Sequence, residues 1–180
     1  MNSGLIPHRY ARALYKFACD NNNSQNVYEQ MKTLISAFSA DERLQKVLAN
    51  PFVDLNDKRK VLLTAAGDKP GDDYQRFVTL ILDHHREEYA MLMALAYRDI
   101  YRKHNKISQV KITTAAKLPD SDLAKIRKIV EKSFVDASFE YIYAIDPDLI
   151  GGFVIDVDST RLDASISSEL ELLRQTLSSK

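Results

Sequence analysis

The chain has 180 residues, 45% of them hydrophobic, which is enough to build a core in one domain or two small ones and excludes a disordered tail. Its 25 basic and 25 acidic side chains cancel, so the charge excess of a protein that neutralises many phosphates is missing and nucleic acid is not expected as the main partner. The only cysteine, Cys19, excludes an internal disulfide and a cysteine-built metal cage, and suits a reducing cytoplasm.

From Leu5 to about Lys106 apolar residues recur at spacings of three and four, the period of amphipathic helices. Tyr10, Leu14 and Phe17 form the stripe of a first helix, flanked by Ala11, Ala13 and Ala18, which allow close helix approach. The cluster Asp20-Asn21-Asn22-Asn23-Ser24 breaks it, and Ser24 is expected to cap a second helix striped by Val27, Met31, Leu34, Ile35 and Phe38. Asp41 opens a short third helix that ends at Asn50-Pro51. Asp54 opens a fourth, with Leu55, Val61 and Leu62, which stops near Gly67. After the loop Gly67–Asp72, a fifth helix carries Phe77, Leu80, Ile81 and His84, and a sixth runs from Arg86 to about Lys106 with Tyr89, Met93, Ala96 and Ile100. Short connections between six such helices predict an antiparallel bundle over residues 1–106.

Beyond Lys106 the period changes to two. Val110, Ile112 and Thr114 alternate with Lys111 and Thr113 in a half-buried strand. Pro119-Asp120-Ser121-Asp122 then starts a helix striped by Leu123, Ile126, Val130 and Phe134. Strands follow at Phe139–Ile145 and Phe153–Val157, and Asp163 or Ser165 caps a last helix striped by Ile166, Leu170, Leu173 and Leu177. The order strand, helix, strand, strand, helix predicts a small α/β domain over 107–180, and an α+β chain in all.

No apolar run approaches the ~20 residues needed to cross a bilayer. Met1-Asn2-Ser3-Gly4 has neither the apolar core of a secretory signal nor an Arg-rich transit segment, so membrane association is expected only through a partner.

Candidates for chemistry are few. Gly151-Gly152 precede a strand, whereas a phosphate cradle places its glycines after a strand and before a helix. Asp146, Asp148 and Gly151 begin like a calcium loop, but Ile150 and Val157 stand where ligands are required. The glycines and Pro147 are instead expected to form a tight corner. His84 and His85 point about 100° apart on a helix and neither has an i+4 ligand, while His8 and His104 stand alone. Asp72-Asp73 and Glu87-Glu88 are expected at helix starts, where carboxylates offset the dipole. Asp156 and Asp158 resemble a metal-binding DxD, and a charged solvent face explains them equally well. No nucleophile is paired with a base, and neither a cofactor nor a metal is expected.

Four blocks of residues together resemble one family. Arg9-Tyr10-Ala11-Arg12-Ala13-Leu14-Tyr15, then Leu48, Asn50-Pro51 and Lys58, then Phe77, Leu80, Ile81 and Arg86, and finally Asp146-Pro147-Asp148-Leu149-Ile150-Gly151-Gly152-Phe153-Val154-Ile155 with Asp163 and Ser165 look like the delta subunit of F-type ATP synthase. The mitochondrial counterpart is the oligomycin-sensitivity-conferring protein. The chain departs from that pattern at Asp158-Ser159, at Ala164 where the family commonly has glycine, and at Ser167-Ser168-Glu169.

The resemblance implies a non-catalytic stator subunit at the cytoplasmic face of a bacterial membrane, monomeric when isolated and joined to the membrane sector through other subunits. It would resist rotor torque during proton-driven ATP synthesis. In the family the N-terminal bundle receives the amphipathic N-terminal segment of an alpha subunit between its first and fifth helices. Carried onto this chain, that groove involves Tyr10, Ala13, Leu14, Phe77, Leu80 and Ile81. The C-terminal domain would engage the b subunits, with Pro147, Gly151, Gly152 and Asp163 forming its structural turn. The alternative is a nucleic-acid or ribosome-associated adaptor that stacks bases on Tyr141 and Tyr143, a reading the balanced charge disfavours.

Overall fold

The computed structural model describes residues 4–133, 138–158 and 160–178, among which eight α-helices and a mixed four-stranded sheet give an α+β fold. The chain divides into two units, Met1–His104 and Asn105–Lys180.

The first unit is built from α1 (Leu5–Asp20), α2 (Ser24–Ala40), α3 (Arg43–Ala49), α4 (Leu55–Ala65), α5 (Asp72–Asp83) and α6 (Ala90–His104). The stripe that α1 buries is Pro7, Ala11, Leu14 and Ala18. Tyr10 and Phe17 lie one step around the helix and stay partly exposed, because the alanines let α6 approach more closely than aromatic rings would. α2 buries Val27, Tyr28, Met31, Leu34 and Phe38 against the same core, and α6 adds Met93, Ala94, Tyr97 and Tyr101. The Tyr97 hydroxyl donates to the Ser24 carbonyl (3.1 Å), and the Tyr74 hydroxyl of α5 donates to that of Leu62 on α4 (2.9 Å).

Local expectations fail where a distant partner competes. Ser24 does not cap α2: Asn23 occupies the cap position, and its side-chain amide is turned away to Asp73. The sixth helix begins at Ala90 rather than Arg86, behind a 3-10 turn at Glu87–Tyr89. There Glu87 is no dipole-matching surface acid. It is buried, and the Lys58 ammonium of α4 donates to its Oε1 at 2.7 Å.

The second unit carries β1 (Ile107–Thr114), α7 (Asp120–Ser133), β2 (Ser138–Ile145), β3 (Gly152–Val157), β4 (Thr160–Ser165) and α8 (Ile166–Ser178). The sheet order is β2-β1-β3-β4, with β1 parallel to β2 across the α7 crossover and the other two pairings antiparallel. Ile126 and Val130 of α7 close one face over Val110, Ile112, Ile155 and Val157, while Phe134 lies outside the described residues. β4 corrects the expected strand-helix-strand-strand-helix order. Its residues Thr160-Arg161-Leu162-Asp163-Ala164-Ser165 are too polar and mixed to read as a strand, but Val157 pairs with Thr160 across a two-residue connection whose first member, Asp158, has φ of 49°.

Asp163 therefore lies in a strand and not in the corner. Ser165 is the cap of α8: its hydroxyl accepts from the Ser168 amide at 3.2 Å and donates to Asp163 Oδ1 at 2.7 Å. These hydrogen bonds from Ser165, joined by one from Ser168, hold the Asp163 carboxyl below the usual carboxylate range.

Pro147 opens a 3-10 turn (Pro147–Leu149), where Asp146 Oδ1 accepts from the Asp148 amide at 3.1 Å. Gly152 then enters β3 with φ of 76°, and a Cβ there would collide with the Ala164 carbonyl oxygen of the paired strand. Only glycine fits both demands.

Two stability outcomes follow. Lys58→Met should cost about 3–5 kcal/mol by leaving a buried carboxylate unpaired, whereas Lys58→Met with Glu87→Leu should recover most of the loss. Gly152→Ala should cost about 2 kcal/mol or more, through strain and the collision with β4. Residue-resolved hydrogen exchange in urea should confine the first loss to the N-terminal unit and the second to the C-terminal unit.

Candidate protein-docking groove

α1 and α5 run antiparallel at their contact. Tyr10 meets His84 edge to face with ring centroids 6.5 Å apart, whereas seven residues further along α1 the Arg76 guanidinium lies 5.9 Å above the Phe17 ring. Between these points the two helices leave an open furrow made of adjoining hollows of about 380 Å³ and about 310 Å³ that share Tyr10, Ala13 and Leu80. The first adds Ile6, Arg9, His84 and Arg86, and the second adds Leu14, Phe17, Asp73, Arg76 and Phe77.

The furrow is open because the residue at its floor is small. The Ala13 methyl is too small to fill it, and Leu80 remains 43% exposed. Asp73 fixes one end. Its two carboxylate oxygens accept from Asn21 Nδ2 and Asn23 Nδ2, each at 2.8 Å, which ties the α1–α2 connection to the first turn of α5. At the other end the Leu80 carbonyl lies 2.8 Å from His84 Nδ1, and the Arg86 amide donates to the Ile81 carbonyl at 2.8 Å.

Of the six residues expected to line a groove, Tyr10, Ala13, Leu14, Phe77 and Leu80 surround this furrow. Ile81 does not. It is 1% exposed and faces the core, since it is offset by about 100° from Leu80 on the same helix. Sequence reasoning left Ile6, Arg9, Phe17, Asp73, Arg76, His84 and Arg86 out of the groove, although Phe17 stands at i+7 from Tyr10 and so offered a periodic signal. A wider hollow of about 750 Å³ lies beside the α3–α4 connection, floored by Lys58 and Glu87 and lipped by Phe52, which is 95% exposed. It has no comparable run of apolar residues along two helices.

In the C-terminal unit the stripe Ile166, Leu170, Leu173 and Leu177 of α8 is exposed, as is Leu172. Pro147, Gly151 and Gly152 build the corner that leads into β3, and the Gly151 carbonyl accepts from the Ile166 amide at 3.1 Å. Tyr141 and Tyr143 do not form a free stacking platform. Arg127 of α7 lies 5.2 and 5.5 Å from their ring centroids, and its Nε donates to the Tyr143 hydroxyl at 2.7 Å.

The histidines do not converge: His104 stacks on Tyr15 with centroids 4.9 Å apart, and His8 and His85 are exposed on separate segments. Asp158 is not in the strand with Asp156. Its Oδ1 accepts from the Gln109 amide at 3.3 Å, while Asp156 faces Arg161 at 3.8 Å. Among the described residues no three His, Cys, Asp or Glu side chains gather as metal ligands.

The family model described as ATP synthase delta (OSCP) subunit matches residues 6–177. The ATP synthase subunit delta of Parabacteroides distasonis is 34% identical over 177 residues, covering 98% of each chain. That of Bacteroides fragilis is 36% identical over 177 residues, covering 97% of this chain and 95% of its own. Among solved structures, a chain of the Toxoplasma gondii mitochondrial ATP synthase hexamer shares the fold, with a TM-score of 0.67 at 20% identity, over 95% of this chain and 96% of that one. The apolar furrow and the open helical stripe are thus features of a chain that belongs to the ATP synthase delta (OSCP) subunit family.

Proposed function

We propose that the furrow between α1 and α5 receives the amphipathic N-terminal segment of an alpha subunit of the catalytic head, and that residues 107–180 engage the ends of the b subunits. As an ATP synthase delta subunit the chain is a non-catalytic component of the peripheral stalk, not an adaptor for nucleic acid. Its task is mechanical. A stator grips the head so that rotor torque drives conformational change there instead of turning the whole assembly.

The observation that carries the docking reading is the apolar furrow itself. Helix-in-groove recognition needs anchors at i, i+3/i+4 and i+7 and a receiving surface without charged chemistry at its centre. Tyr10, Ala13, Phe17, Phe77 and Leu80 supply such a surface on two helices of what we read as an antiparallel six-helix bundle. The exposed leucines of α8 suit a second, parallel use of the same principle for a stalk helix. No helix among the described residues is long and apolar enough to cross a membrane, which fits peripheral placement at the cytoplasmic face of a bacterial membrane through these partners.

An alpha-subunit N-terminal peptide titrated into the full chain should perturb amide signals of α1 and α5 in a saturable way. Leu80→Asp should leave the helical content unchanged and weaken that peptide about tenfold or more, as expected for truncating a central apolar anchor. Binding unaffected by Leu80→Asp would refute the assignment. Leu170→Asp with Leu173→Asp should keep the fold and abolish co-purification with the b subunits while sparing the alpha peptide.

A further inference from the structure

The furrow is electrically asymmetric. At the end formed by the start of α1 and the finish of α5, Arg9 and Arg86 line the same hollow, and neither has an acidic partner within ion-pair distance among the described residues. α1 also has no acidic side chain in its first turn to offset the partial positive charge of its N-terminus. The opposite end carries one charge of each sign: Asp73, which accepts two amide hydrogen bonds, and Arg76, which lies over Phe17, line the same hollow.

We infer that the guest of this furrow is an amphipathic helix carrying a carboxylate at one end, and that Arg9 and Arg86 together read that carboxylate and so set which way round the guest lies. The inference rests on the docking role proposed above. The apolar centre of the furrow supplies contact area but no polarity, since Tyr10, Ala13 and Leu80 present similar surfaces to a helix running in either direction. Two unmatched guanidiniums at one end remove that degeneracy. A carboxylate placed there gains charge-assisted hydrogen bonds, whereas at the Asp73 end it meets an acid already in place. Arg9 and Arg86 are thus specificity-determining residues for orientation, separate from the anchors that provide affinity.

Three synthetic 16-residue amphipathic helices with the same apolar stripe test this on the full chain: one with two glutamates in its first turn, one with them in its last turn, and one with glutamines at all four positions. At low salt both glutamate peptides, lying in opposite directions, should bind about three- to tenfold more tightly than the glutamine peptide, the size expected for a pair of partly exposed ion pairs. The advantage should shrink in 0.5 M salt, roughly as a Debye length near 4 Å requires. It should vanish in Arg9→Gln/Arg86→Gln and persist in Arg12→Gln, since Arg12 is exposed and lines neither hollow. A paramagnetic label at the glutamate end of either peptide should broaden signals near Arg9 and not near Phe17, and the reverse pattern overturns the inference. Equal affinity of all three peptides, or an advantage that survives the double arginine substitution, overturns the inference while leaving the furrow as a docking site. Failure of every peptide and of the alpha segment to bind removes the docking role and the inference with it.

Discussion

Asp73 fixes the geometry on which the docking furrow depends. By accepting from Asn21 and Asn23 it turns a run of helix-breaking residues into a strap that pins the end of α1 to the start of α5. A furrow between two helices keeps its width only if the helices are held at points outside the furrow. The strap does this at one end, and at the other the edge-to-face contact of the Tyr10 and His84 rings joins α1 to the end of α5. The apolar residues between are thereby spared from holding the helices together and remain available to a guest. Without that polar strap the hydrophobic effect would favour closing α1 onto α5 and burying Leu80 and Phe17.

Much of this was legible in the sequence, and all the failures but one share a physical cause. Helices announce themselves through a period of three to four, so α1 to α8 were all visible. The period says less about which neighbouring face is buried. On α1 the stripe Tyr10, Leu14, Phe17 and the stripe Pro7, Ala11, Leu14, Ala18 share one residue, and close helix packing selects the smaller set for the core. Leu80 and Ile81 both count as apolar members of α5, yet adjacent positions cannot face the same way, and only the structure tells which is the wall and which the core. Nothing local couples Lys58 to Glu87 or Asn23 to Asp73, since each pair is joined only by tertiary folding. β4 was hidden for another reason: an edge strand needs only one partner and tolerates the charged and small residues that composition assigns to a loop.

The two units divide the mechanical work differently. In the N-terminal unit the core is filled by aromatic and aliphatic residues, and apolar surface is left open in a groove. In the C-terminal unit the core formed by α7 and the sheet is small, and much of the remaining apolar surface is carried by one helix. A receptor groove and a projecting helix are complementary ways to couple subunits, the first enclosing a foreign segment and the second being enclosed by one.

The open leucine row on α8 also has a meaning for the cell that makes this chain. An unassembled copy carries an adhesive strip that water disfavours and that any other apolar surface can satisfy. Surplus copies would be prone to clump or to be degraded, so the fold itself penalises production in excess of whatever surface covers that strip.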